Sequence, residues 1–411
     1  MSKLVPNGWR IHELGDLAEK IEGGGTPTRT VPEFWSGNIP WVTVKDLKKV
    51  RLSFAEESIS ELGLKESSSR LIPKNTLIIA TRMALGKAVI FDKDVTINQD
   101  LKAIFPKKEI GVEYLLHWYL SKSEYIQGMG TGSTVKGIRL DDLRLIPIKL
   151  PPLPEQQKIA AILTAVDVVI ESTQAQINKL KALKTGLMQE LLSKGIAHTE
   201  FKDSPVGRIP KAWDIHAVGD IVEVIDPQPD HRTPPEVSNG VPYVGLGNID
   251  KDGLIDFNNA RKVSKEAFER QLNSFEIHEG AFIFGKIGTI GNPSILPRER
   301  FYCLSANVIL LTAKDVLTMR YLFHVFTSGI INEQVLLHTN TTSQPALGIK
   351  KVRDFLIPIP SCKSEIKNIV DGLGSIDFKL NQSREKLNKI LDVKKALMQD
   401  LLSGKVRVKT A

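Results

Sequence analysis

The chain contains one helical pattern twice, and this duplication limits the folds that it can adopt. The string LMQELLS at residues 187–193 returns as LMQDLLS 210 positions later, at residues 397–403. The apolar residues that precede the two strings recur in the same heptad frame. A repeat that includes a helix in each copy predicts two similar modules in a single chain.

The a and d positions of both helices carry an apolar seam, and its polar exceptions also coincide, Thr173 with Ser383 and Lys184 with Lys394. Such a seam, with polar residues elsewhere, is typical of helices that pack as a coiled coil. A helix of about 40 residues covers about 60 Å, so we expect each helix to extend past its own domain and to pair with the other. The alternative is an amphipathic helix that packs only on its own globular domain. The predicted helix-pairing residues are Ile159, Leu163, Val166, Ile170, Ile177, Leu180 and Leu187, with Ile369, Leu373, Ile376, Leu380, Leu387, Ile390 and Leu397 in the second copy.

Helix-stop signals divide the chain into four parts. Prolines within residues 151–154 precede the first helix, and Gly195 and Gly404 follow the two helices, where glycine commonly ends a helix. Strand-like runs at residues 77–79 and 282–284 alternate with short helical stretches, so the globular parts are predicted to be α+β. We predict a first globular domain at residues 1–150, a spacer helix at 151–196, a second globular domain at 197–360 and a second spacer helix at 361–411.

Composition favours a polyanionic partner. The chain has 55 Lys and Arg residues against 47 Asp and Glu residues, which gives a net charge of +8. A moderately basic protein of this kind suits nucleic acid. The two cysteines, Cys303 and Cys362, provide neither a disulfide framework nor a metal-binding pattern. Because we find neither a transmembrane pattern nor a signal peptide, we expect a cytoplasmic protein without a membrane partner.

No pattern in the sequence predicts an active site. The glycine-rich residues 128–134 and 285–291 lack the Gly-Lys-Ser/Thr ending of a phosphate loop, and neither has the spacing of a dinucleotide site. The acids of residues 226–232 lie in one proline-broken loop, whereas a nuclease needs several acids that converge on a metal ion. We therefore expect no catalytic residue, no metal and no cofactor in this chain.

Polar loops in both copies are the candidate binding elements. They combine hydroxyl groups, amides and single basic side chains, which are the groups that reach phosphates and base edges. Ordinary solvated turns have a similar composition, so the prediction depends on the recurrence of such loops in both copies. The candidate DNA-binding residues are Thr26, Arg29, Arg82, Thr134, Lys136 and Arg139, with Arg232, Lys286, Thr342, Gln344 and Lys350 in the second copy.

Several longer motifs resemble one protein family. They are LPPLPEQQKI at residues 150–159, GGTP at 24–27, FKDSPVG at 201–207 and the helix end at 187–193. With these motifs the chain resembles the DNA-specificity subunit of type I restriction-modification systems over essentially its whole length. The second copy departs from the family pattern at residues 361–365, where the proline-rich helix entrance is missing.

The resemblance implies a fold and a set of partners. The fold would be α+β with two similar target-recognition domains, each followed by a long helix, and the two helices would pair as an antiparallel coiled coil. Each domain would read one half of a bipartite site in double-stranded DNA. The helices would dock two modification subunits, which hold S-adenosylmethionine and methylate adenine, and restriction subunits would join the assembly. The chain itself would choose the site and catalyse nothing.

The repeat also suggests how the DNA contacts divide. Arg82 aligns with Lys286 at an offset of 204, and Arg139 aligns with Lys350 at an offset of 211. A charge kept in both copies most simply serves the phosphates that both half-sites share. Loop residues without a counterpart are better candidates for reading bases, and these are Arg29, Thr134, Lys136, Arg232 and Gln344.

Two other functions remain open from the residues alone. A freestanding, sequence-specific DNA-binding protein would need no methyltransferase partner. An enzyme with an unrecognised site would transfer methyl groups or cleave DNA when purified alone.

Overall fold

A computed structural model of the chain describes residues 5–132, 135–230, 232–250, 253–338 and 346–409. The chain forms two compact units, and each is completed by part of both long helices. The first unit consists of Met1–Gln174 and Glu385–Ala411, and the second consists of Ala175–Arg384. The division between the units thus falls inside the helices, whereas the predicted boundaries at 150 and 360 separate globular parts from helices.

The globular part of the first unit alternates strands with short helices. Its buried strands are rich in Ile, Val, Leu and Phe, which suit the pleated surface of a sheet. The strands are β1 (Arg10–Glu13), β2 (Ala18–Gly23), β3 (Ile39–Val42), β4 (Arg51–Leu52), β5 (Glu57–Ile59), β6 (Leu71–Ile72), β7 (Leu77–Ala80), β8 (Ala88–Phe91), β9 (Val95–Ile97), β10 (Leu101–Pro106) and β11 (Pro147–Leu150). The helices are α1 (Leu14–Leu17), α2 (Glu61–Lys65), α3 (Val112–Ser121), α4 (Ser123–Met129) and α5 (Leu140–Arg144), followed by the long α6 (Leu153–Ser193).

Two sheets and a strand pair build this globular part. One sheet has the strand order β2-β10-β7-β8-β4 and the other has the order β5-β3-β9-β6. Strand β1 pairs with β11 in antiparallel fashion, so the first and last strands close the globular part just before α6. Strands β7 and β8 are fully buried, and α3 lies against both.

The second unit has a corresponding set of elements. Its strands are β12 (Phe201–Ser204), β13 (Gly207–Pro210), β14 (Asp214–Ala217), β15 (Glu223–Ile225), β16 (Val241–Val244), β17 (Lys262–Val263), β18 (Phe282–Gly285), β19 (Gly291–Ile295), β20 (Cys303–Leu304), β21 (Val308–Thr312) and β22 (Leu356–Ile359). Its helices are α7 (Val218–Ile221), α8 (Lys265–Leu272), α9 (Val316–Phe326), α10 (Gly329–His338) and α11 (Ile349–Arg353), followed by the long α12 (Lys363–Ser403). Short 3-10 helices span Pro32–Trp35 in the first unit and Leu246–Asn248 in the second.

The strand neighbours confirm the duplication and the α+β class. The order β15-β21-β18-β19 corresponds to β2-β10-β7-β8, and β17-β16-β20 corresponds to β5-β3-β9. Strand β14 pairs with β22 as β1 pairs with β11. Strands β12 and β13 form an additional hairpin in the connection that follows α6.

Glycine follows both long helices, as predicted. Helices α6 and α12 each contain 41 residues, which corresponds to a length of about 60 Å. Gly195 and Gly404 follow them with φ angles of 64° and 74°, a left-handed conformation that glycine adopts without steric cost. Helix α12 begins at Lys363 although its entrance lacks the prolines of the first copy.

A glutamate in the first turn of α6 holds three segments of the first unit together. The indole N–H of Trp9 donates to the Glu155 carboxylate at 3.0 Å. Arg407, which lies beyond the end of α12, donates to both carboxylate oxygens at 2.7 and 2.8 Å. Because this carboxylate is buried and fully paired, it fixes the start of the globular part, the start of α6 and the segment after α12 in one arrangement.

The second unit repeats this junction with a different third partner. The indole N–H of Trp213 donates to the Glu365 carboxylate at 3.1 Å. The backbone N–H of Ile196 donates to the other oxygen at 2.9 Å, and a ring nitrogen of His198 lies 2.8 Å from it. Both residues follow the end of α6, so the segment after one long helix again meets the start of the other.

The long helices run antiparallel, as predicted. In the first unit Asp167 pairs with Lys394, whereas Glu155, which comes earlier in α6, bonds Arg407, which comes later in the chain. The second unit shows the same order, because α6 contacts earlier parts of α12 as its own residue numbers rise.

An ion pair between α6 and α12 lies next to a buried histidine in each unit. The side chains of Asp167 and Lys394 are 9% and 16% exposed. The ring of His117 on α3 lies 3.8 Å from the Asp167 carboxylate, and burial lowers the pKa of His117 to about 4. Burial also lowers the pKa of His324 on α9 to about 4, so both rings are neutral at neutral pH. The corresponding ion pair joins Lys184 and Asp377 at 2.6 Å.

The seam residues serve two kinds of packing. All fourteen are buried or partly buried. Ile159 and Leu163, at the start of α6, share a core cluster with Leu401 from the end of α12. Ile177 and Leu380, in the middle of the helices, are buried outside that cluster and outside its counterpart in the second unit. The helix ends therefore pack on globular cores, and helix pairing accounts for the burial between them.

Exchange of Asp167 for alanine would leave the Lys394 ammonium group buried without a partner. We expect the free energy of unfolding to fall by about 3 kcal/mol. The double change Asp167→Leu with Lys394→Met removes both charges and should recover most of this loss. Urea unfolding followed by circular dichroism measures both effects. Glu190→Ala, which removes an exposed partner of Lys194, is the control and should change stability by less than about 0.5 kcal/mol. A similar loss of stability in Glu190→Ala would contradict the view that the Asp167–Lys394 pair matters because it is buried.

Candidate nucleic-acid interface

The sheet topology gathers distant loops at one end of the first unit. Strands β2, β10 and β7 are neighbours in an antiparallel arrangement. The end of β2, the start of β10 and the end of β7 therefore lie side by side. The connections that meet there are residues 24–29, 81–87 and 98–100.

Polar contacts join these loops into one surface. The Thr26 hydroxyl donates to the side-chain oxygen of Gln99 at 2.7 Å. The guanidinium group of Arg82 lies 3.5 Å from the carboxylate of Asp100, and Arg82 also forms a β-bridge with Gly137. The surface thus extends from Thr26 through Arg82 to the segment that precedes α5.

The segment before α5 adds two further cations. The backbone N–H of Met83 donates to the Lys136 carbonyl at 2.9 Å, which places this segment beside the turn of Arg82. Lys136 and Arg139 are exposed, and the Arg82 side chain is 52% exposed. Thr134 lies outside the described residues. Exposed cations beside hydroxyl and amide groups are suited to contact phosphates and base edges.

Arg29 already has structural partners. Its guanidinium group forms an ion pair with both carboxylate oxygens of Glu57 and lies 3.7 Å from the ring centre of Trp35 and 4.9 Å from that of Trp41. The hydrogen bond between them lowers the pKa of Glu57 and raises the pKa of Arg29. Arg29 thus braces the loop after β2, and its role in base reading stays a prediction.

Lys286 does not suit the phosphate contact that we predicted for it. Its side chain is 6% exposed, and its ammonium group pairs with the Asp226 carboxylate at 2.6 Å. A contact with DNA would leave Asp226 without this partner in a largely buried position, which is costly. Lys286 instead joins the end of β18 to the segment that follows β15.

Backbone hydrogen bonds also correct the match between Lys286 and Arg82. Lys286 donates its N–H to the turn before β21 and accepts a hydrogen bond from the segment before α11. Thr81 makes the equivalent two bonds with the turn before β10 and the segment before α5. Thr81, and not Arg82, is therefore the counterpart of Lys286.

The match between Arg139 and Lys350 is wrong for a similar reason. Arg139 is the N-cap residue of α5, and Gly348 has this position at α11. Lys350 lies exposed in the first turn of α11. Connections of different length shift the offset between the copies, so short strings that look alike are not equivalent. A basic residue shared by both copies therefore no longer identifies a phosphate contact.

The second unit nevertheless has the same scaffold at this end of its sheet. Ile287, in the turn after β18, forms a β-bridge with Ala346, so the segment that leads to α11 lies beside this turn as in the first unit. Arg232 is exposed in the segment after β15. Thr342 and Gln344 lie outside the described residues.

Sequence reasoning missed two residues of the first-unit surface. Gln99 is exposed beside Thr26 and carries an amide, the group that can bond both edge positions of adenine. Its place in a polar turn between strands was an available signal. Met83 is 63% exposed with a φ of 64°. No local pattern in the sequence marks this apolar side chain next to Arg82 as exposed.

The described ranges contain neither a cluster of metal ligands nor a membrane-spanning helix. No group of three or more His, Cys, Asp or Glu side chains there is placed to hold a metal ion. No helix in the same ranges is both long enough and apolar enough to cross a membrane.

Both copies match one family profile. The profile, described as "Type I restriction modification DNA specificity domain", matches residues 6–182 and 210–391. Two curated relatives from Methanocaldococcus jannaschii are similar over nearly the whole chain. The type I restriction enzyme MjaIX specificity subunit is 25% identical over 98% of this chain and 95% of its own length. The type I restriction enzyme MjaVIII specificity subunit is 24% identical over 98% and 94%.

Solved structures of the same kind share the fold. The crystal structure of a type I restriction-modification S subunit from M. genitalium has a TM-score of 0.62 at 14% identity and covers 98% of both chains. A chain from a structural study of the assembly and conformational transition of the type I R-M system has a TM-score of 0.55 at 15% identity and covers 98% of this chain and 100% of its own.

Arg82→Gln and Lys286→Gln should have opposite effects. The first should weaken binding to all DNA sequences alike and lower the slope of log affinity against log salt by about 1. The second should lower the melting temperature, because Asp226 loses its partner, and leave the salt slope unchanged. Fluorescence anisotropy with labelled duplexes and thermal melts measure the two effects. A selective loss at one base position in Arg82→Gln would rule out a phosphate contact.

Proposed function

This chain belongs to the type I restriction-modification DNA specificity family, and from that membership we propose that it recognises a bipartite DNA target and directs partner methyltransferase and restriction subunits to it. The main support for this proposal is that both units have the same loop-bearing end of the sheet. The same strands in each unit gather polar connections with exposed basic side chains. Arg82, Lys136 and Arg139 lie there in the first unit. In the second unit Arg232 lies in the segment after β15, and Lys350 lies exposed in the first turn of α11. Two binding surfaces of one design suit a target with two parts.

Within this function the exposed residues divide by chemistry. Arg82 and Arg139 are our proposed phosphate contacts, since exposed guanidinium groups pair well with phosphate. Lys136 and Arg232 remain proposed base-reading residues. Gln99 joins them, because its amide presents a donor and an acceptor beside Thr26.

Exposed apolar side chains on the long helices are our proposed docking sites for two modification subunits. Val168 and Val393 are 62% and 53% exposed in the first unit, and Leu183 and Phe378 are 51% and 63% exposed in the second. The two α12 positions follow the two α6 positions by 210 residues, so each unit has one set. Exposed apolar groups that recur on an otherwise polar helix favour a protein contact, and two sets suit two subunits.

The chain contributes site selection to this proposed assembly and no catalytic group. The modification subunits would hold S-adenosylmethionine and methylate adenine, and the restriction subunits would join the same complex in the cytoplasm. Family membership and the relatives named as specificity subunits support this division of labour.

Sequencing of methylated adenines in host DNA tests the proposed function. Loss of this chain should abolish methylation at one motif with two specified halves and an unspecified spacer, while other methylated motifs persist. Methyl transfer or DNA cleavage by the purified chain alone would contradict a non-catalytic role. Unchanged methylation together with sequence-specific DNA binding would instead identify a freestanding DNA-binding protein.

Val168→Asp and Phe378→Asp test the docking sites separately. Each variant should bind one modification subunit in place of two, because a charge is introduced into one of the two sets, and the combined variant should bind none. Native mass spectrometry of the reconstituted complex counts the subunits. Ser172→Asp, at an exposed polar position of α6, is the control and should retain both. Two bound subunits in the combined variant would exclude these positions.

A further inference from the structure

A wide cleft opens in the first unit between its globular part and the last turns of α12. Its volume is about 1460 Å³. The walls are residues 47–50, residues 86–88, the end of α3 with the start of α4, residues 391–403 of α12, and Ile11 of β1 with Pro147 and Lys149 of β11. Every residue that lines the cleft belongs to the first unit.

Lysine dominates the charge of this cleft. Apart from Lys394, which is paired with Asp167, the lysines that line it are Lys48, Lys49, Lys87, Lys122, Lys149 and Lys395. Glu124 is the one acidic residue among the lining residues. Lys48 and Lys49 have acidic neighbours, at 2.5 Å from Glu56 and 3.7 Å from Glu171. The structure shows no acidic group within ion-pair distance of Lys122, Lys149 and Lys395 among the residues that it describes.

The second unit has the same fold without these lysines. Tyr114 on α3 donates its hydroxyl to the Lys149 carbonyl, and the equivalent Tyr321 on α9 donates to the Pro358 carbonyl. Pro358 therefore has the position of Lys149. The same alignment of α3 with α9 places Gly329 opposite Lys122, and the helix repeat places Thr185 opposite Lys395. Since one copy folds without them, the lysines are not required by the fold.

The cleft is continuous with the candidate nucleic-acid interface. The turn between β7 and β8 carries Arg82 on the interface and Lys87 in the cleft. Helix α4 also joins the two, because Ser123 and Gln127 line the cleft and Thr131, two residues after the helix, forms a β-bridge with Gly137 of the interface. A chain of phosphates that crosses Arg82 would therefore find further cations beside it.

We propose that this lysine cleft binds the DNA phosphate backbone next to the half-site read by the first unit, as a contact independent of sequence. The proposal rests on the proposed function and extends it. Lysine ammonium groups on flexible stems act as point charges that neutralise phosphates without reading bases. Because the second unit has no lysine opposite Lys122, Lys149 and Lys395, the protein would cover more DNA beyond one half-site than beyond the other.

The test is a triple variant of the full chain, Lys122→Gln with Lys149→Gln and Lys395→Gln. Its binding to a random-sequence duplex of roughly 40 base pairs is measured by fluorescence anisotropy between about 50 and 200 mM salt. The slope of log affinity against log salt should fall by about 0.9 for each lost phosphate contact, and thus by up to about 2.7. The control, Lys65→Gln with Lys93→Gln and Lys108→Gln, removes the same charge from exposed first-unit positions outside the cleft and should change the slope much less.

The conservative triple change of Lys122, Lys149 and Lys395 to arginine should retain the parental slope. This variant separates lost charge from a disturbed fold. Equal slopes in the cleft and control variants would overturn the proposal. It would also fail if the cleft variant lost a modification subunit but kept its slope, since the cleft would then bind an acidic protein surface. The two proposals fail in different experiments. Absence of a bipartite methylation motif would contradict the proposed function, but it would not change the salt slope measured on the random duplex.

Discussion

Each unit depends on a largely buried carboxylate in the first turn of a long helix. An indole N–H reaches this group in both copies, and a residue beyond the end of the other helix completes its hydrogen bonds, although that residue is Arg407 in one copy and His198 in the other. A carboxylate removed from water is stable only with such partners. Separation of a globular part from the helix pair would remove the hydrogen-bond donors of this carboxylate. This constraint explains why each compact unit includes pieces of both helices.

The long helices were predictable because their pattern is periodic. Heptad spacing follows from helix geometry alone, so the seam from Ile159 onward could be found without knowledge of the fold. The way in which the helix ends join the globular parts was not predictable. Trp9 and Glu155 are 146 positions apart, and Leu401 enters the core of the first unit from the far end of the chain. No local pattern connects such residues, since only the closed fold brings them together.

The candidate site could be predicted in outline and not in detail. Thr26, Arg82 and Lys136 meet at one sheet end because strand order brings their connections together. Lys286 looked like an exposed cation, yet the Asp226 carboxylate, 60 positions earlier, pairs with it inside the fold. The offset between the copies changes at each connection of unequal length. An error of one residue in an extended segment exchanges an outward side chain for an inward one, which is the error made in matching Lys286 with Arg82.

The two copies keep the groups that build the frame and vary those that face outward. The tryptophan–glutamate junction, the buried histidine and the ion pair between the helices recur, whereas Lys122 and Lys149 have Gly329 and Pro358 opposite them. A protein that reads two different half-sites is constrained in this way, because the frame presents the loops and the loop side chains choose the sequence. The ion pairs add a further constraint. An apolar heptad seam alone would tolerate a shift of about seven residues, but such a shift would separate Asp167 from Lys394 and leave two charges buried and unpaired. Charge, rather than the apolar seam, therefore sets the register of the helix pair.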